Sequence, residues 1–76
     1  MPPKTNLVAT LLAEGEISKA MDLSRDLILA EIGECDFPGA EALSNEISQL
    51  FTEKGFPQEG EQFYSTAQEL IRTRSY

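Results

Sequence analysis

Apolar side chains recur along this chain at intervals of three and four residues in four stretches, and nowhere at a sustained interval of two. That periodicity predicts helices and no sheet. The first stretch runs from about Thr5 to Glu14, with Thr5 or Asn6 as its cap and Leu7, Val8, Leu11 and Leu12 on one face. Gly15 supplies the left-handed residue that ends it. The second runs from about Glu16 to Ile32. Ala20, Leu23, Leu27 and Ala30 form one stripe and Ile17, Met21, Ile28 and Ile32 a neighbouring one, so this helix is expected to be central, buried on two sides. Gly33 is read as its stop, and residues 33–39 as the loop between two hairpins. The third helix is expected to open at Pro38, which suits a first-turn position because its missing N–H is not needed there. Ala40, Leu43, Ile47, Leu50 and Phe51 carry that helix through Lys54 to Gly55. Phe56-Pro57 then opens a fourth, marked by Gly60, Phe63, Tyr64, Ala67, Leu70 and Ile71. Glu59 in its first turn and Arg72 and Arg74 in its last complement the helix dipole.

The stretch from Gly15 through Ala20, Leu23 and Leu27 has a counterpart forty residues on, in Gly55, Gly60, Phe63, Tyr64 and Ala67. In each, a Gly ends one apolar stretch, a small residue follows five positions later, and a new stripe begins. These positions resemble the turn and second helix of tetratricopeptide repeats, with Leu7, Val8 and Leu11, or Ile47, Ser48 and Phe51, supplying the first helix. Forty residues exceed the 34 of a regular repeat of that family, and the excess is assigned to the loop around Cys35 to Gly39. The resemblance implies a concave face formed by the first helix of each hairpin, namely Asn6, Thr10, Glu14, Asn45, Gln49 and Thr52. Such a face suits an extended peptide or a basic segment of a partner. A generic four-helix bundle meets the same packing needs, and so does a helical homodimer that completes its core by association. Each of these is all-α: four short antiparallel helices arranged as two hairpins.

Length and charge narrow the picture. Seventy-six residues allow one small domain spanning 1–76, with residues 1–4 expected to be a flexible N-terminus. A chain this short buries only about 60% of its unfolded surface, which favours pairing with a partner or a second copy. The single Cys35 offers no disulfide, Met1-Pro2-Pro3-Lys4 is too short and polar for a signal peptide, and the longest apolar run is Leu27 to Ala30. An intracellular, cytoplasmic protein is expected, with no membrane partner. Thirteen acidic against six basic residues give a net charge of −7. Direct nucleic-acid binding is therefore not expected, whereas a basic protein surface would be attracted.

Catalytic chemistry finds little support. Without His, both the commonest general base and the commonest zinc ligand are missing. Glu34 and Asp36 flank Cys35 and disfavour its thiolate. Glu31, Glu34, Asp36 and Glu41 are expected to line one end of the helices, but their spacing is not that of a calcium loop, and a solvated acidic edge is the simpler reading. The glycines are isolated punctuation rather than a phosphate loop. No catalytic residue, metal ligand or cofactor site is assigned, and the chain is read as a non-enzyme.

Binding is what is left. The first expectation is a small acidic adaptor or inhibitor that presents a helical face or groove to a partner protein. Phe37, Phe56 and Tyr64 are candidate aromatic anchors beside the polar face, although Phe37 and Phe56 at helix entries also fit hydrophobic staples. The alternative is a nucleic-acid mimic, with Glu31, Glu34, Asp36, Glu41, Glu46, Glu53, Glu59, Glu61 and Glu69 imitating phosphates to block a DNA- or RNA-binding protein. A third reading makes the chain a constitutive subunit with the second helix as its interface.

Overall fold

A computed structural model of the chain describes residues 5–74. The positions expected to form a flexible N-terminus, 1–4, and Tyr76 lie outside the described residues. Four α-helices account for most of the rest: α1 (Thr5–Ala13), α2 (Ile17–Gly33), α3 (Phe37–Glu53) and α4 (Pro57–Arg74), with no strand among the described residues. The all-α class and the two antiparallel hairpins follow as the periodicity predicted. None of these helices is long and apolar enough to cross a membrane.

The connections depart from expectation. Residues 14–16, 34–36 and 54–56 are one turn made three times, at a spacing of twenty residues. The middle residue of each has positive φ: 78° at Gly15, 60° at Cys35 and 94° at Gly55. Its N–H donates to the carbonyl three residues back, on Leu12, Ile32 and Thr52 at 3.1, 2.9 and 3.1 Å. The next residue, Glu16, Asp36 or Phe56, donates to the carbonyl five back, on Leu11, Glu31 and Phe51, at 2.9, 3.0 and 2.8 Å. This pair of bonds satisfies carbonyls that a helix end leaves open. The same third residue then accepts at its own carbonyl from Ala20, Ala40 or Gly60, at 3.0, 2.9 and 3.0 Å, and so begins the following helix.

The expected seven-residue loop at 33–39 is therefore absent. Gly33 belongs to the last turn of α2, and Phe37, Pro38 and Gly39 form the first turn of α3. Asp36 makes this possible, because its Oδ1 accepts from the Gly39 N–H at 3.0 Å and caps the helix. The sequence hid this turn because Cys35 stands where its two counterparts have Gly.

Packing follows a four-residue ladder. In α2 the fully buried positions are Ala20, Ser24, Ile28 and Ile32, and in α3 Ala40, Ser44, Ile47 and Phe51. Neither serine was expected in the core. Each hydroxyl donates to the carbonyl one turn earlier, Ser24 to Ala20 at 2.6 Å and Ser44 to Ala40 at 2.8 Å, so its burial leaves no donor unpaired. The expected stripe residues Leu23, Leu27, Leu43 and Leu50 pack around this ladder half-buried, whereas Ala30 is exposed. Leu7, expected on the buried face of α1, is 62% exposed, because Thr5, Val8 and Leu12 turn inward instead.

Helices α3 and α4 approach most closely at Gly60. A Cβ there would lie 2.9 Å from both the Phe51 Cβ and the Ser48 carbonyl oxygen, and the Ser48 hydroxyl donates to the Gly60 carbonyl at 3.3 Å. Beside this contact the rings of Phe51 and Phe63 stack, with centroids 6.1 Å apart and planes 8° from parallel. Both rings are buried, which adds their large apolar area to the preference for offset stacking.

Each helix touches the next and the next but one, while α1 and α4 do not touch among the described residues. The arrangement is a zigzag of two layers, α1 with α3 and α2 with α4. Its shape agrees: the extents are 36 × 29 × 16 Å. Two helices about 10 Å apart, each with a Cα radius of about 2.3 Å, make a slab of about that thickness. Helix α2 is central as expected, but α3 shares that place, since both contact all three other helices.

Three stability outcomes follow. Cys35→Gly removes a left-handed strain of about 1–2 kcal/mol. Glycine's greater freedom in the unfolded chain cancels part of that gain, so a net rise of about 0.5–1 kcal/mol is expected. A melting temperature that falls would overturn this account of the middle turn. Gly60→Ala should destabilise by about 1–3 kcal/mol through overpacking, despite alanine's better helix propensity. Gly33→Ala, where a Cβ meets nothing within 4 Å, should be neutral or stabilising by up to about 1 kcal/mol. Urea midpoints for the pair test the close approach directly, since equal shifts would refute it. Phe51→Ala should cost about 3–5 kcal/mol. Against a total of about 4–11 kcal/mol for a chain of this length, that is a large share, so a large fall in the melting temperature by circular dichroism is the expected result.

Candidate interaction surface

The layer formed by α1 and α3 carries most of the polar face expected from the sequence. On α1, Asn6 and Thr10 lie one turn apart and exposed, opposite buried Val8 and Leu12. On α3, Asn45 and Gln49 lie one turn apart and exposed, opposite Ile47 and Phe51. Because α1 and α3 touch, these pairs belong to neighbouring helices of one layer. Glu14 and Thr52 are also exposed, at the end of the slab where the first and third turns sit. Two of the hydroxyls are turned back onto their own helix: Thr10 donates to the Asn6 carbonyl at 2.9 Å and Thr52 to the Ser48 carbonyl at 3.1 Å. That leaves the amides of Asn6, Asn45 and Gln49 as the outward donors of the face.

The aromatic candidates are placed differently. Phe37 and Phe56 are half-buried and pack against the core cluster over the two ends of α3. Neither stands where a hydrophobic staple is made, before the cap: Phe37 is the first residue of α3, whose cap is Asp36, and Phe56 directly precedes Pro57, the first residue of α4. Tyr64 is half-buried on α4, in the other layer, and is not brought together with the α1–α3 face.

The layers differ in which signs of charge their helices carry more than in net charge. Neither α1 nor α3 contains a Lys or Arg, while α3 carries Glu41, Glu46 and Glu53, all exposed. In the other layer, α2 holds Lys19 and Arg25 and α4 holds Arg72 and Arg74. Lys19 and Arg25 sit 3.6 Å from the carboxylates of Glu16 and Asp22 in exposed i,i+3 pairs, which compensate charge locally and add little stability. Every charge on α3 is therefore negative, whereas α2 and α4 each carry three acidic and two basic residues.

A groove of about 300 Å³ opens between the start of α1, the end of α2 and the start of α3. Thr5, Gly39, Ala42 and Leu43 line it together with the carboxylate residues Glu31, Asp36 and Glu46. Of the carboxylates expected at one end of the helices, Glu31 and Asp36 are found here, while Glu34 and Glu41 do not line the groove. Glu46 joins them instead. Its signal was present in the spacing, since Gly39, Ala42, Leu43 and Glu46 fall on one stripe of a helix once α3 is known to begin before Gly39. No three acidic or thiol side chains among the described residues gather closely enough to hold a metal ion.

The opposite layer has a wider groove of about 660 Å³ between α2 and α4, lined by Met21, Gln58, Glu61, Gln62, Ser65 and Thr66. A smaller hollow of about 100 Å³ shares Met21 and Thr66 with it, and adds Asp22, Arg25 and Phe63. Its lining mixes both charges with neutral groups and has no dominant chemistry.

Compared with family models, with curated proteins and with solved structures, the chain shows no match to any of the three.

Proposed function

We propose that this chain is a non-enzymatic protein-interaction module of the cytoplasm, a small acidic adaptor or inhibitor that takes a basic segment of a partner protein across the α1–α3 layer. The observation that carries this reading is the absence of any Lys or Arg from both helices of that layer, beside a groove whose lining includes Glu31, Asp36 and Glu46. A surface of one sign attracts and orients the opposite sign, and the neutral amides of Asn6, Asn45 and Gln49 add hydrogen bonds that do not depend on charge.

The zigzag order of contacts supports the tetratricopeptide-like reading, in which the odd-numbered helices line the binding face. The unit differs from that family in length. Here one helix and one turn make twenty residues, so a hairpin takes forty instead of the family's 34. A second copy, pairing through this or another face, would enlarge the shallow surface that two hairpins provide.

A nucleic-acid mimic would use the same carboxylates, Glu41, Glu46 and Glu53, against a basic site. One experiment separates the readings: capture of partners from the native source on the tagged protein, washed at about 0.1 M and about 1 M salt, where the screening length falls from about 10 to about 3 Å. The expected result is a partner weakened but retained at high salt and not displaced by added DNA. Loss at high salt together with displacement by DNA would favour the mimic.

The double variant Glu46→Lys/Glu53→Lys should lower recovery of that partner tenfold or more, equivalent to about 1.4 kcal/mol. Both side chains are exposed, so its unfolding midpoint should stay within about 0.5 kcal/mol of the unchanged protein. Undiminished capture by this variant, with its fold intact, would remove the α1–α3 layer as the binding face.

A further inference from the structure

We draw no further inference here: the strongest candidate, the wide groove between α2 and α4 lined by Met21, Gln58, Glu61 and Thr66, carries nothing because nothing in the structure shows what covers it.

Discussion

Reversing a helix within three residues is the constraint on which this small protein rests. A helix end leaves carbonyls unpaired and a helix start leaves N–H groups unpaired, and a short connection has few groups to offer either. Here Glu16, Asp36 and Phe56 each serve both ends, donating backward to close one helix and accepting forward to open the next. That economy needs a left-handed residue just before, which Gly15 and Gly55 adopt readily and Cys35 adopts under strain. With no slack in the connections, successive helices must lie antiparallel and adjacent. Their small residues, Ala20, Ala40 and Gly60, then fall at the same distance past each turn, all of them buried.

Small residues at those places let the backbones come close, and the buried serines extend the same logic. Ser24 and Ser44 are compact, and each satisfies its hydroxyl within its own helix. They occupy core volume without requiring a partner across the interface. At α4 the ladder changes, with Gly60 in place of alanine and the large Phe63 in the second position. The close approach at Gly60 brings Phe51 against Phe63, so the smallest residue in the core admits its largest stack.

How much of this was legible depended on which signals are local. Helix number, class and most of the apolar ladder could be read from periodicity, because burial on one face of a helix writes itself into the spacing of Val8, Ile28, Ile47 and Ala67. The turns at Gly15 and Gly55 were visible because glycine marks them. The middle turn was missed because Cys35 gives no such mark, and Gly33 and Gly39 on either side drew a longer loop around it. Ser24 and Ser44 were missed because a polar residue type conceals burial whenever its hydrogen bond stays inside the helix. On the candidate surface, Asn6, Thr10, Asn45 and Gln49 came from the tetratricopeptide-like outline, and all four are exposed on α1 and α3. The absence of cations from α1 and α3 as one layer was not legible, since it emerges only when alternate helices are set side by side.

Among the described residues, no contact joins the first helix to the last. Every stabilising interaction is made between segments at most two units apart along the chain, which keeps the entropic cost of closing loops low. Folding can therefore start at α3 and α4, the pair with the most extensive contact, and spread from there one helix at a time. The two outer helices are not held alike: α4 packs extensively on α3, whereas α1 is the shortest helix and makes the lesser contacts. Helix α1 marks the place where the native state is expected to open first, while α3 and α4 stay closed.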